Sequence, residues 1–448
     1  MFTLISHRSP TDPLAYRRNR VLRVADFLSE VAQVAECLPA RRFLVNICSD
    51  RYRFAVGFGA ALLRDQVSLL PPNQTPEMLI QLQRQYESLY VLTDVPQAAP
   101  LVEQVVYPEV SRARPPFSAV PAFPDGQVAA IAFTSGSTGR PMPHCKTWGG
   151  LARGAADAAS RLGLLQGENA TLVNTVPPQH MYGLESSVLM ALRNGLALHA
   201  ARPFYPADVR AALEDAPGER ILITTPVHLR ALLVEDLDLP RLRLIVCATA
   251  PLSRELAAQA EARYRAPLHE VYGFTEAGMV ATRRTVQGAS WHCLRDVRLR
   301  RDGDVVRVAG GHVETEVPFT DVIEPDGDDV FILHGRNADL VNIAGKRTSL
   351  GHLNHQLNGI EGVRDGAFFM PDESGDGVTR LTAFVVAPGL TREFLLGALR
   401  ARVDPAFLPR PLYFVDSLPR NATGKLPREA LLGYAQIRSG AMKREDSA

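Results

Sequence analysis

The feature that most constrains this chain is an alternation of short apolar runs with helix-forming stretches. RRFLVNIC (41–48) reads as a buried strand, VGFGAALLRD (56–65) as a helix and VSLLPPN (67–73) as a strand and turn. TPEMLIQLQRQYESL (75–89) then reads as an amphipathic helix and LYVLTD (89–94) as another strand. The same rhythm returns at QVAAIAFT (127–134), GERILITTP (218–226) and RLRLIVCATA (241–250). Apolar strands separated by helices pair side by side as a parallel sheet with helices on its faces, so an α/β fold is expected.

The rhythm changes after residue 290. VRLRRDGDVVRVAG sets Asp302-Gly303 between two alternating runs, a hairpin signal, and Pro325-Asp326-Gly327 precedes the strand-like DDVFILHG. A small antiparallel subdomain is expected there. Beyond Arg336 come a short basic loop, a helix, the strand LTAFVVAP, a second helix and a Pro-rich stretch from 405 to 419, with a polar tail from Ile437.

Composition serves mainly to exclude. With 49 basic and 48 acidic side chains the chain lacks the basic excess of a dedicated nucleic-acid binder. Its five cysteines form no CxxC pair, which supports neither a zinc site nor a disulfide framework and fits a reducing compartment. The N-terminus has no apolar signal core, and the nearby run Ala55 to Leu63, closed by Arg64 and Asp65, is too short to span a bilayer. A cytoplasmic protein with no membrane span and no nucleic-acid partner is expected.

The segment richest in chemistry is AFTSGSTGRP (132–141). A buried strand ends at Phe133 and gives way to Thr134, Ser135, Gly136, Ser137, Thr138 and Gly139. Glycines let the backbone turn its N–H groups inward and the hydroxyls add donors, which suits a polyphosphate. The GxxxxGK[ST] spacing of a Walker loop is absent, and a polar surface turn would share this composition.

TSGSTGRP resembles the phosphate loop of the adenylate-forming superfamily, the AMP-dependent synthetases and ligases. Further segments follow in that superfamily's order: PPQHMYGLE (177–185), VYGFTEAG (271–278), FTD (319–321) with GRNADLVNIAGKR (335–347), and LPRNATGKLPR (418–428). The resemblance covers nearly the whole chain, most weakly in residues 1–40. It implies a large N-terminal domain over 1–337, made of parallel sheets flanked by helices plus the small β-subdomain. A small mobile α+β C-terminal domain over 338–448 would carry the catalytic lysine.

The resemblance also implies roles. Thr134 to Gly139 would cradle the phosphates of ATP, Thr275 would donate to the α-phosphate and Glu276 would contact Mg²⁺. Tyr272 would stack on adenine, Asp321 would bind the ribose hydroxyls and Arg336 would contact ribose or phosphate. Lys425 would bridge the substrate carboxylate and the α-phosphate, and His180 would steer the acid at the mouth of its pocket. Taken singly, Tyr272 could equally be a core aromatic, Glu276 a solvated acid, Lys425 an exposed lysine and His180 a structural histidine. Met181, Leu184, Thr225, Cys247, Ala248, Phe274 and Met279 neighbour the motifs that should line the acid pocket, though core packing would also explain each. His144, His228 and His269 receive no role.

Three departures stand out. The loop usually continues Pro-Lys-Gly but here reads Pro141-Met142-Pro143, leaving Arg140 or Lys146 to supply the missing charge. The hinge position carries Ala338, followed by Asp339, and the interval between Tyr272 and Asp321 is short. The compact chain resembles the AMP-ligases of aryl-polyene and xanthomonadin-type pigment pathways. The expected activity is therefore ATP-dependent conversion of a small carboxylic acid, of hydroxybenzoate type, to an acyl-adenylate. Transfer to a thiol follows, either CoA or the phosphopantetheine of a separate acyl carrier protein. An acyl-CoA synthetase for short or medium aliphatic acids and a non-catalytic nucleotide-binding regulator remain as alternatives.

Overall fold

The computed structural model describes residues 1–95, 102–111, 119–135, 141–164, 169–303, 305–319, 321–336, 340–343, 346–370, 381–421, 424, 426–428 and 430–434. Two large sheets dominate. The first has six strands in the order Pro141–Thr147, Val128–Ser135, Val67–Leu70, Phe43–Asn46, Tyr90–Thr93 and Gln104–Val106. All neighbours are parallel except Pro141–Thr147, which returns antiparallel along Val128–Ser135. Val67–Leu70 and Tyr90–Thr93 are buried at every residue, as strands covered on both faces must be.

The second sheet has eleven strands. Its order is Asp321–Asp326, Val330–Arg336, Ser290–Cys293, Gly278–Arg283, Leu268–Phe274, Leu244–Cys247, Glu219–Thr224, Ala170–Asn174, Ala197–His199, Pro13–Arg17 and Arg20–Arg23. The strands from Leu268–Phe274 to Pro13–Arg17 are parallel, with antiparallel additions at both ends. The α/β class read from the alternation is the one the chain adopts.

Local chemistry explains several boundaries. Helix Arg51–Leu63 starts five residues before its apolar run because Asp50 caps it, accepting from the Arg53 N–H at 2.9 Å. Helix Pro76–Gln85 begins behind Thr75, whose hydroxyl accepts from the Met78 N–H, with proline at its first position. It stops before the expected residue 89 because Tyr86 turns to an extended conformation.

The two turn signals after residue 290 lead to different places. Arg298–Asp302, Val305–Gly310 and Val313–Pro318 form the small antiparallel subdomain. The hairpin Asp321–Asp326/Val330–Arg336 instead extends the eleven-stranded sheet through Ser290–Cys293. Trp291 and Phe331, in register and with near-parallel rings, give the physical reason: burying them requires that pairing.

After residue 340 the described chain forms a hairpin, Leu340–Ile343/Lys346–Ser349, and a three-stranded sheet of Asp365–Phe369, Thr382–Val386 and Leu412–Phe414. Helices Leu350–Asn358 and Arg392–Arg400 pack with them. Two apolar clusters, one around Leu353, Phe368 and Leu395 and one around Phe369 and Phe384, draw on this part of the chain alone. The tail beyond residue 434 lies outside the described residues.

Candidate active site

The carboxyl ends of parallel strands are where open α/β sheets form crevices, and Thr134, Thr275 and Glu276 lie at or just beyond such ends. Val128–Ser135 runs into the phosphate-loop segment, and Pro141–Thr147 leaves it, with Ser135 and Pro141 paired in register. Gly136, Ser137, Thr138 and Gly139 lie outside the described residues, as do Arg140, Ala338 and Lys425. Thr134, at the last turn of the strand, is half-buried, and its Oγ1 lies 3.0 Å from Nε2 of His144.

His144 reaches further. Its Nε2 is 3.7 Å from Oε1 of Glu276, and the two side chains are 23% and 25% exposed. Burial lowers the His144 pKa, with the Glu276 carboxylate pulling the other way. Two residues along the same strand, Nζ of Lys146 donates to the Glu276 backbone carbonyl at 2.6 Å. Burial lowers the Lys146 pKa too, opposed by the charges of Glu185, Glu276 and Glu314. Of the two suggested substitutes for the loop lysine, Lys146 thus meets the VYGFTEAG turn directly.

Glu185 is near enough for its charge to act on Lys146. It is buried, its carboxyl pKa is pushed up to about 7 by burial, and the Lys146 charge limits the rise. Its Oε1 accepts weakly from the Met279 N–H at 3.4 Å. Gly278 permits this approach: its φ is +83°, and a Cβ there would stand 2.6 Å from Oε1 of Glu185.

The nucleoside candidates are built differently. Tyr272 is 8% exposed and sits among Phe274, Trp291, Phe319 and Phe331, parallel to Phe319 at a centroid distance of 5.9 Å. Its hydroxyl donates to Oδ2 of Asp321 at 2.9 Å. Asp321 pairs in register with Arg336, the last residue of its strand. Thr275 and Glu276 occupy the turn between Leu268–Phe274 and Gly278–Arg283.

His180 precedes a helical turn, Met181–Gly183, that widens into a π-helical turn over Leu184–Leu189. Its N–H donates to the Pro177 carbonyl at 3.2 Å and its own carbonyl accepts from Leu184. The bend is tight at Gly183, where a Cβ would overlap the Pro177 carbonyl oxygen at 1.9 Å. The Ser186 and Ser187 hydroxyls donate to the carbonyls of Tyr182 and Gly183, filling the widened turn. Arg51, wholly buried, clamps the segment from below. Its guanidinium donates to the carbonyls of Asn174 and Val176 and to Ser187 Oγ, and burial lowers its pKa to about 9. The Tyr182 hydroxyl donates to the Val246 carbonyl at 3.3 Å, which holds the segment over the ends of the parallel strands.

Of the expected acid-pocket residues, Leu184, Thr225, Cys247 and Met279 are fully or nearly fully buried, and Met181 and Phe274 are partly so. Gly424 abuts Thr225 and Val227 at the start of helix Pro226–Val234. Sequence reasoning missed His144, Glu185 and Glu314. Their only signals were a basic pair two residues apart in PMPHCKT and a lone acid in the apolar run GLESSVLMAL.

Comparison with known proteins shows the family. A family model described as "AMP-binding enzyme" matches residues 60–315, from the helix behind Asp50 to the subdomain. The chain belongs to the AMP-binding enzyme family. That places it in the adenylate-forming superfamily, among enzymes of the AMP-forming acid–thiol ligase class. A 4-coumarate–CoA ligase of Rhodobacter capsulatus is 30% identical over 300 residues, covering 66% of this chain and 74% of that protein. A 2-succinylbenzoate–CoA ligase of a Geobacillus species is 27% identical over 345 residues, covering 68% of each.

Solved structures share the fold over almost the whole length. An anthranilate CoA ligase in complex with anthranoyl-AMP superposes with a TM-score of 0.81 at 16% identity, covering 96% of this chain and 95% of that one. An o-succinylbenzoate CoA synthetase from Bacillus subtilis, bound to its acyl-adenylate, gives 0.80 at 19% identity, covering 94% and 96%. Among the described residues no helix is long and apolar enough to cross a membrane. Among them, too, no cluster of three or more His, Cys, Asp or Glu forms a ready metal cage.

Proposed function

We propose that this enzyme activates a flat aromatic acid of hydroxybenzoate type as an acyl-adenylate, then passes the acyl group to the phosphopantetheine thiol of a separate carrier protein. The observation that carries the adenylation reading is the meeting of Thr134, His144 and Glu276 at the strand ends, with the Tyr272 hydroxyl bonded to Asp321 of the outermost strand of the long sheet. In the proposed reaction a carboxylate oxygen bonds to the α-phosphorus of ATP and the bond to the pyrophosphate oxygen breaks. Such chemistry asks the protein for alignment and for donors aimed at the growing charge.

In this reading the segment Thr134, Ser135, Gly136, Ser137, Thr138 and Gly139 holds the phosphates and Thr275 donates to the α-phosphate. Tyr272 packs against adenine, Asp321 accepts from the ribose hydroxyls and Arg336 contacts ribose or phosphate. His180 steers the acid, and Lys425 bridges acid and α-phosphate. Glu276 fits Mg²⁺, which takes one or two carboxylates and fills its shell with phosphate and water; bound there, the ion would neutralise phosphate charge. Residues 1–337 form the nucleotide- and acid-binding domain, and 338–448 a mobile domain that carries Lys425.

The aromatic substrate is supported by the names of the relatives, coumarate and succinylbenzoate ligases. The carrier-protein acceptor rests on the altered loop Pro141-Met142-Pro143 and its resemblance to the pigment-pathway ligases; CoA is the second reading, favoured by the same relatives' names. Pyrophosphate release should be measured with a panel of aryl and aliphatic acids, followed by thioester formation with CoA or with holo-carrier protein. Release with hydroxybenzoates and loading of the carrier support the proposal. Release only with aliphatic acids overturns the substrate class, and silence across the panel with ATP binding intact favours a nucleotide-binding regulator.

A further inference from the structure

The strand that leaves the phosphate-loop segment carries an unassigned residue in a telling position. Pro141–Thr147 pairs antiparallel with Val128–Ser135, with His144 opposite Ala132 and Lys146 opposite Ala130. Side chains two apart on a strand share a face, so His144 and Lys146 point the same way. Both meet Glu276: Nε2 of His144 lies 3.7 Å from its carboxylate, and Nζ of Lys146 donates to its backbone carbonyl at 2.6 Å. One face of one strand therefore grips Glu276 at side chain and backbone together. The same His144 nitrogen also lies 3.0 Å from Oγ1 of Thr134, the last half-buried hydroxyl before residues 136–140.

The Thr134 oxygen at 3.0 Å is the hydrogen-bond partner of Nε2, and the Glu276 carboxylate at 3.7 Å adds a negative charge that favours a proton on that nitrogen. If Nε2 were unprotonated, its lone pair would face the Glu276 carboxylate with no hydrogen between. An Nε2–H donor satisfies the geometry. The Thr134 oxygen is then the acceptor, and its own hydrogen is free to turn away from His144.

We propose that His144 is a positioning residue for nucleotide binding. Its Nε2–H donates to the Thr134 oxygen while the same ring stands 3.7 Å from the Glu276 carboxylate, which keeps the Thr134 O–H turned toward the phosphates of ATP and Glu276 toward its Mg²⁺. Two separate ties, one to a loop hydroxyl and one to an acid more than a hundred residues away in sequence, are set by one ring. The inference rests on the adenylation reading and deepens it.

Calorimetric titration of the full-length protein with Mg·ATP, and separately with metal-free AMP, tests it. His144→Ala is expected to weaken Mg·ATP about tenfold, from loss of the hydrogen bond to Thr134 together with the contact to Glu276, while AMP changes by less than about twofold. His144→Gln, which can place an amide N–H near the same spot, is expected to stay within about threefold of wild type. In pyrophosphate exchange the Ala change should appear chiefly in KM for ATP, with kcat moving less. Thr134→Val combined with His144→Ala should cost less than the sum of the two alone, since both remove one contact.

Equal weakening of Mg·ATP and AMP, no weakening of either, or a Gln variant no better than Ala would each overturn the proposal. Should the Ala variant not fold, the Gln variant and the Thr134→Val titrations decide it on the same terms. These are binding measurements, so they remain distinct from the activity reading. Wild-type protein that binds Mg·ATP but exchanges no pyrophosphate with any acid defeats that reading, not the role of His144.

Discussion

The two ends of the site are built on opposite principles. At the nucleoside end, Tyr272 is packed into a cluster of rings and its hydroxyl donates to Asp321. At the phosphate end, Lys146 bonds the Glu276 backbone, His144 approaches the Glu276 carboxylate, and the charge of Lys146 acts on buried Glu185. The first is held by apolar contact, which tolerates small chemical changes. The second is held by charges that depend on each other, so losing one partner strands another. The contrast predicts that substitutions at the phosphate end cost more and bring pH dependence with them.

The largest expected effect is at Lys425. Lys425→Ala should lower adenylate formation by roughly 10²–10³, while thioester formation from supplied acyl-adenylate persists. Half-reactions assayed separately check this, and equal loss of both would sink the division of labour. Next comes Lys146→Met, which removes the cation beside buried Glu185. A stability loss of roughly 2–4 kcal/mol is expected in urea unfolding, and Lys146→Met with Glu185→Gln should recover part of it. Additive losses would mean that the two charges do not depend on each other.

The pH dependence follows from Glu185. Its folded pKa of about 7 lies above the ordinary 4.5, so it binds a proton more tightly folded than unfolded. That contribution to stability is complete below about pH 4.5 and fades as pH rises through about 7. Glu185→Gln should therefore gain on wild type by roughly 1–3 kcal/mol between pH 5 and pH 8, read from unfolding midpoints at each pH. A constant difference would break the link between charge burial and titration at this end.

The smallest effect is expected at the nucleoside end. Tyr272→Phe keeps the ring and loses the bond to Asp321, costing about 1 kcal/mol of stability and a few-fold in KM for ATP. A loss as large as that of Lys146→Met would erase the contrast. So would a shift in its pH profile.

How much of this could be read beforehand divides along the same line. The parallel strands and the YGFTE turn were legible because local apolar patterning decides them. The contact between Tyr272 and Asp321 was implied by both belonging to one site. His144 and Glu185 were not legible. Which face of PMPHCKT meets Glu276 depends on strand pairing and on a turn far along the chain, neither of which is a local property. The hairpin Pro13–Arg17/Arg20–Arg23 was missed for a related reason. PLAYRRNRVLR is basic and broken by Arg18 and Asn19, both at positive φ, and becomes strand only beside Ala197–His199. Asp365–Phe369 is too short and glycine-containing to stand out, and pairing with Thr382–Val386 makes it a strand. The phosphate-loop glycines and Lys425 rest on motif alone.

The order of the long sheet has one more consequence. Its two outermost strands carry opposite signs: Arg20 and Arg23 at one margin, Asp321, Glu324 and Asp326 at the other. In a crowded solution that asymmetry would draw one molecule's margin toward another's, front to back, the start of a filament. Pro325 lacks the N–H that an added strand would need, and the basic margin is only four residues long. The charges invite polymerisation and the backbone refuses it.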